Sequence, residues 1–326
     1  MNRGVIQWRW IIMTIAVAIV FYFALVILSN VDEVLDAASH FQWFYILPTI
    51  GLVAVNYIVR AERWHLYLKS IGLGLPRNSS YWLFLSGLSM SITPAKSGEV
   101  LKALLLKVER GALVERGVAV VFVERMTDII GMLILIAIGS FSIAYGLVSV
   151  AIITAAIVVI LVVIQIESLV NSLTGRMMRR PRFASLGRMV ANAYRDAKGL
   201  LRGRALAYGI ALSVIAWLAM CIAFYILLLG CSAQVSPLES IFIFAFSSTI
   251  GAVSMLPGGI GITEVSMIGL LSLISVSLAT ASFAVILTIV CTLWFAVAIG
   301  SFFLILFIRH SRSRIDENRK NADGLA

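Results

Sequence analysis

The chain has 326 residues, 61% hydrophobic and 13% charged, with a mean hydropathy of +1.01. Soluble globular chains sit near roughly 45–50% apolar and about 25% charged, so water is excluded as the main solvent. The net charge of +10 does not mark a nucleic-acid binder, because every Lys and Arg except Arg125 falls into four blocks: Arg3 and Arg9, Arg60 to Arg116, Arg176 to Arg204, and Arg309 to Lys320.

The connections around Asp32–His40, Ser140–Gly146 and Gly230–Glu239 contain no Lys or Arg. That asymmetry is the positive-inside pattern of a multi-pass protein of the cell membrane, and it predicts that both termini are cytoplasmic. Membrane lipids are the expected partners; neither nucleic acid nor a cofactor is implied, and the oligomeric state is not encoded in any feature of the pattern.

Taken in chain order, the apolar run at 10–29 approaches the ~20 residues that cross a ~30 Å hydrocarbon core. It follows Arg3 and Arg9 but lacks a small-x-small cleavage site, so it reads as a retained helix rather than a secretory signal. A loop with Asp32, Glu33 and Asp36 leads to a returning helix at 43–60. The segment 79–110 begins apolar, is broken at Thr93-Pro94-Ala95-Lys96-Ser97-Gly98-Glu99 and continues as an amphipathic helix with Lys102 and Lys107. Basic flanks on both sides predict a re-entrant hairpin opening to the cytoplasm. Two spans follow at 117–140 and 147–166, then a polar cytoplasmic segment at 167–204, then a span at 206–229.

A second broken element covers 238–273, with Pro257-Gly258-Gly259-Ile260-Gly261-Ile262-Thr263-Glu264 at its centre and no basic flanks, so it is expected to dip in from outside. The stretch 277–308 reads as one long tilted or bent span, and 309–326 as a basic cytoplasmic tail. The expected fold is therefore all-α: a single transmembrane domain, 1–308, of about six spanning helices plus two Pro/Gly-broken hairpins. Paired interrupted segments opening on opposite faces are the mark of an inverted-repeat transporter with a site near the midplane.

Candidate chemistry lies where charge meets apolar sequence. Glu124, Arg125 and Asp128 stand in the middle of the run Val118 to Ile138. On a helix Glu124 and Asp128 share a face and Arg125 points about 100° away. Each costs at least ~2.5–3.5 kcal/mol at a bilayer centre, so they must face the bundle interior, either as a polar pathway or as an ion-pair lock between helices. Lys96, Ser97, Gly98 and Glu99 open a half-helix whose unpaired N–H groups favour an anion, or alternatively form an ordinary capped helix start. Glu264 has the same two readings, with Thr263 as the competing cap. Arg60, Arg63 and Trp64 close the second helix and are expected at the interface, with Arg60 as a solvated positive-inside anchor or, alternatively, the guanidinium groups on lipid phosphate.

Gly258-Gly259-x-Gly261 lacks the strand and spacing of a nucleotide loop. The histidines are scattered, no HExxH or GxSxG occurs, and Cys221, Cys231 and Cys291 have no metal-like spacing. No metal and no catalytic residue is expected.

Arg60-x-x-Arg63-Trp64, Thr93-Pro94-x-Lys96-x-Gly98-Glu99, Glu124-Arg125-x-x-Asp128 and Leu256-Pro257-Gly258-Gly259-x-Gly261-x-x-Glu264, in that order, resemble the motifs of the lysylphosphatidylglycerol synthase transmembrane-region family of flippase-like membrane proteins. The resemblance implies a domain that moves a polar, phosphate-bearing lipid between leaflets. A soluble synthase domain that some members carry has no counterpart before Ala326. The chain departs from the family at Ala95 and Lys96, where Gly and Arg are common; at Ser89 to Ser91, where an Asn is common; and near Ile289, where an Arg is common. Those changes bear on the headgroup. On this reading Lys96 and Arg125 would hold phosphate, while Glu99, Asp128 and Glu264 would hold an amine or carry protons. The rival classes are a membrane-embedded lipid-modifying transferase and an accessory subunit of a separately encoded lipid synthase.

Overall fold

The computed structural model describes residues 30–93, 99–110, 113–142, 167–180, 183–254 and 256–323, with four isolated positions between 148 and 159. The expected first span, most of the 147–166 span and the Pro94–Gly98 stretch lie outside the described residues, as does the chain from 324 onward.

Every regular element among the described residues is helical. The acidic connection expected as a loop is a helix, α1 (Val31–His40), with Asp32 and Glu33 in its first turn, where the helix dipole favours carboxylates. A 3₁₀ turn at Trp43–Tyr45 leads into α2 (Ile46–Ser70), which runs ten residues beyond the expected end at 60. Next come α3 (Arg77–Gly87), a 3₁₀ turn at Leu88–Met90, α4 (Leu101–Arg110) and α5 (Val114–Gly139). The polar segment forms two helices, α6 (Glu167–Met178) and α7 (Ala184–Leu200). The second half holds α8 (Gly203–Gly230), α9 (Pro237–Val253), α10 (Ile262–Leu273), α11 (Leu278–Ile289) and α12 (Phe295–Asp323). A π-helical turn at Val290–Trp294 joins α11 to α12, so the 277–308 stretch is one continuous, locally unwound helix.

Three helices among the described residues are long and apolar enough to cross a membrane: Trp43–Ser70, Gly203–Gly230 and Leu278–Arg309. The shorter α9 and α10 are also apolar. At 26 residues α5 lies between α2 and α8 in length, but it carries Glu124, Arg125 and Asp128 at its middle. The chain is thus an all-α polytopic membrane bundle.

The bundle is centred on α2, α5 and α8, with α9 packed on α5 and α8, and α12 crossing α3. Small residues permit the closest crossings. A Cβ on Gly131 of α5 would stand 2.9 Å from Ser213 Cβ of α8, and one on Gly139 would stand 2.6 Å from the Phe242 backbone nitrogen of α9. With lipid as solvent, such close backbone approach supplies the packing energy that hydrophobic exclusion supplies in water. The α6–α7 pair is tied to the start of α5 through Arg116–Asp196 at 3.2 Å, and Arg116 also donates to the Ile71 carbonyl.

Helices α2 and α8 lie antiparallel. Gln42 N–H, just before α2, donates to the carbonyl of Gly230 at the end of α8, at 3.0 Å. Midway along, Asn56 Nδ2 donates to the Ala216 carbonyl at 2.7 Å. Both helices end in the same cap. Leu73 N–H bonds Leu68 O and Gly72 N–H bonds Lys69 O after α2; Ala233 N–H bonds Leu228 O and Ser232 N–H bonds Leu229 O after α8. These paired bonds define a Schellman motif, in which a residue at positive φ turns the chain; here Gly72 has φ 74° and Ser232 φ 56°. Each bond of the second cap lies 160 residues after its counterpart, as do Asn56 and Ala216, so the antiparallel pair touches at matching positions.

Candidate functional site

The site is assembled from three helices of the first half. On α2, Asn56, Arg60, Arg63 and Tyr67 recur at intervals of three or four residues and so share one buried face. On α5, Glu124, Thr127, Asp128 and Gly131 do the same. Glu99 and Lys102, three residues apart at the start of α4, complete the group.

Within it, Arg63 Nη1 is 2.6 Å from Asp128 Oδ1 and Arg63 Nη2 3.7 Å from Glu124 Oε1; Arg63 also donates to the Ser213 hydroxyl of α8. Lys102 Nζ is 2.5 Å from Glu124 Oε2 and 3.6 Å from Glu99 Oε2. Arg125 Nη2 bridges Glu99 Oε2 at 3.0 Å and Asp128 Oδ2 at 3.1 Å, and Arg60 Nη2 is 3.7 Å from Glu99 Oε1. Each of the three carboxylates therefore stands beside at least two cations. Four cations and three carboxylates leave one formal positive charge in excess among the described residues.

This cluster faces a cavity of about 340 Å³, whose charged wall is Arg60, Glu99, Arg125 and Asp128. The second chain break also lines it: Gly258 and Gly259 of the 3₁₀ turn Pro257–Gly259, together with Leu256 and Thr263. Gly258, Gly259 and Gly261 have φ of 63°, 74° and 94°, a region closed to most side chains. Thr288, Ile289, Thr292 and Leu293, at and beside the π turn, form a third wall with apolar Trp217 and Phe244. A π turn leaves backbone carbonyls without their usual helical partners; one of them, Thr292 O, accepts from Tyr57 Oη at 2.9 Å.

Of the residues singled out from sequence, Glu99, Arg125 and Asp128 line the cavity together with Gly258 and Gly259, and Glu124 is buried in the ion-pair cluster with Arg63 and Lys102. Lys96, Ser97 and Gly98 lie outside the described residues. Pro257 belongs to the turn, and Gly261 is the N-cap of α10, where its N–H donates to Glu264 Oε2 at 2.7 Å. Glu264, only 1% exposed, is thus the cap of its own helix and does not line the cavity; Thr263, expected as the competing cap, turns to the cavity instead.

Arg60, Arg63 and Trp64, expected at the interface, are 8%, 1% and 0% exposed. Because α2 continues to Ser70, they sit inside the bundle, where the carboxylates of α4 and α5 hold both guanidinium groups. Lys102 was missed as a site residue. Its stem runs over Gly87, where any Cβ would collide with it, and its ammonium lies 4.8 and 4.9 Å from the ring centroids of Trp64 and Phe84. The signal was its spacing of three from Glu99, which places both on one helix face.

A bundle of membrane-crossing helices with ionised side chains gathered at an internal cavity defines a polytopic membrane protein with a polar core. No group of three or more His, Cys, Asp or Glu among the described residues is arranged to hold a metal. The profile of the lysylphosphatidylglycerol synthase transmembrane region matches residues 11–300, and the chain belongs to that family. It is 23% identical over 311 residues to a UPF0104 membrane protein of Methanothermobacter thermautotrophicus, covering 88% of this chain and 92% of that one. A UPF0104 membrane protein of Methanocaldococcus jannaschii is 24% identical over 243 residues, 71% of this chain and 98% of that one.

Proposed function

We propose that the protein is a flippase-like lipid translocase of the cell membrane, which passes a polar, phosphate-bearing headgroup through the cavity while the lipid tails stay in the bilayer. The observation that carries this reading is that the cavity lies between the charged cluster of the first half and the Pro257–Gly259 break of the second. A headgroup crossing hydrocarbon alone loses water at several kcal/mol per unpaired polar group. Arg60 and Arg125 would supply the replacement donors, and the surrounding Trp217, Met220 and Phe244 an apolar boundary for the glycerol or prenyl end.

Alternating access is the second element of the reading. The antiparallel α2 and α8 carry matching caps 160 residues apart, and α3 and α9 leave from opposite ends of that pair. This supports two related halves inverted in the membrane, each with a broken re-entrant hairpin. The basic α6–α7 segment would lie in the cytoplasm, as would both termini.

The test is reconstitution into liposomes with fluorescent headgroup-labelled lipids. Wild type is expected to equilibrate at least one phosphate-bearing lipid between leaflets. Arg125→Ala should slow the rate by roughly tenfold or more, the effect of losing one charge-assisted hydrogen bond at the rate-limiting position. Wild type leaving every phospholipid and prenyl phosphate unmoved, with and without a proton gradient, would remove the transport reading.

A further inference from the structure

We propose that the second half of the chain gives the cavity an uncharged hydrogen-bonding subsite, formed by Ser248, Thr263 and Thr292, which takes the hydroxyl or primary amine that a headgroup carries beyond its phosphate. This rests on the lipid-translocase reading above and adds to it the part of the headgroup that the charged residues do not address.

Three observations carry it. First, all three residues line the cavity and are half-buried, and they come from α9, α10 and the π turn, whereas Arg60, Arg125 and Asp128 come from α2 and α5. The Ser248 and Thr263 hydroxyls have no hydrogen-bond partner among the described residues, yet they are not sealed from the cavity. The Thr292 hydroxyl donates to the Thr288 carbonyl at 2.7 Å, so its oxygen is left as an acceptor. Tyr57 Oη, also on the cavity wall, spends its hydrogen on the Thr292 carbonyl at 2.9 Å and likewise offers only lone pairs. Second, the three elements meet. Thr263 Oγ1 packs against Gly251, one turn from Ser248, where any Cβ would collide with it, and a Cβ on Gly258 would stand 3.3 Å from Leu293 Cδ2, next to Thr292. Third, Thr292 stands 164 residues after Asp128, as Leu278 at the start of α11 stands 164 after Val114 at the start of α5. On the inverted-halves reading, the second half thus has a neutral acceptor where the first has a carboxylate. A headgroup hydroxyl or amine that meets only Trp217, Phe244, Leu256 and Leu293 loses its water without replacement, and these oxygens supply the replacement.

Binding in detergent, read as the shift in thermal unfolding temperature with titrated ligand, tests this without any transport step. The probes are two charge-matched pairs of dihexanoyl lipids: phosphatidylglycerol with phosphatidylmethanol, and phosphatidylethanolamine with phosphatidylcholine. The first of each pair carries the donor. It is the larger headgroup in one pair and the smaller in the other, so neither charge nor size reproduces the expected pattern. Each donor-bearing lipid should bind roughly tenfold more tightly than its mate. Thr263→Val with Thr292→Val, which keeps the shape, should erase most of both preferences, and Thr263→Ser with Thr292→Ser should keep them. Should the valine variant fail to fold, Ser248→Ala, which breaks no hydrogen bond among the described residues, is expected to cut both preferences roughly threefold. No preference in wild type, a preference in one pair only, or preferences that survive these substitutions overturn the inference. Glycerol phosphate and phosphoethanolamine binding as tightly as their lipids would support the subsite and count against a lipid as its occupant. Donor-selective binding without movement in liposomes would sink the transport reading alone, and movement with indifferent binding would sink the subsite alone.

Discussion

The side chains that decide this molecule are few, and Lys102 and Glu124 are the pair most open to test. Both are buried, at 2% and 0% exposure, with Nζ and Oε2 2.5 Å apart. Two charges taken from water are tolerable only together; removing one leaves the other uncompensated, at roughly 3–5 kcal/mol. Lys102→Met and Glu124→Gln are each expected to lower the unfolding free energy by about that amount in detergent, while Lys102→Met with Glu124→Gln recovers a substantial part because the stranded partner is gone. Singles that cost nothing, or a double that costs their full sum, would mean the ion pair does not exist. At this scale the sequence was readable in part. Glu124, Arg125 and Asp128 stood out because a charge inside an apolar span needs a reason, and the requirement that they face inward was met. Their partners were not readable. Arg63 and Lys102 reach Glu124 from other helices, 61 and 22 residues away in the chain, and no local pattern encodes which helix packs on which.

Among the elements, the broken ones set the shape of the cavity. The Pro257–Gly259 turn lies between α9 and α10, and Gly259 holds φ 74° where an added Cβ would meet Gly251 and the Thr263 hydroxyl. A Cβ there would stand 2.8 Å from Thr263 Oγ1 and would meet the ~1–2 kcal/mol penalty of a left-handed residue as well. Gly259→Ala is therefore expected to destabilise by about 2 kcal/mol and to close part of the cavity, whereas Gly269→Ala, where a Cβ meets nothing within 4 Å, should be close to neutral or slightly stabilising. Matched unfolding curves of the two variants check this; equal effects would mean that the turn does not need its glycine. The break at Pro257 was visible in the sequence because proline and three glycines cannot continue a helix. The π turn at Val290–Trp294 was not, since Val-Cys-Thr-Leu-Trp has no residue that forbids an α-helix; tertiary contact with Tyr57 accompanies it there. Helix α1 was missed for a related reason: ten residues with three acids read as loop, yet the amphipathic pattern was present; the helix packs on α11 and buries Val34.

For the whole molecule, the question is whether the two halves are inverted across the bilayer as proposed, and the paired turns are where that is tested. Residues 71–76 follow α2 and residues 231–236 follow α8; because those helices run antiparallel, the turns stand at opposite ends of the bundle. Gly74 and Gln234 are exposed at equivalent positions in them, and a Cβ at Gly74 meets nothing within 4 Å, so a cysteine is tolerated at either. Native thiols interfere little at neutral pH. Cys221 and Cys291 are buried, and burial pushes the Cys231 thiol up to about 12, which leaves it almost entirely protonated and unreactive at pH 7, with its background rising about tenfold per pH unit above that. Labelling intact cells at pH 7 with a membrane-impermeant maleimide should therefore modify Gln234→Cys directly and Gly74→Cys only after permeabilisation, as the Lys/Arg asymmetry around 60–116 and 230–239 requires. The reverse pattern would keep the inverted halves and turn the protein over. Modification of both from the same side would remove the antiparallel arrangement of α2 and α8 across the bilayer, and with it the opposed openings that the proposed passage through the cavity requires.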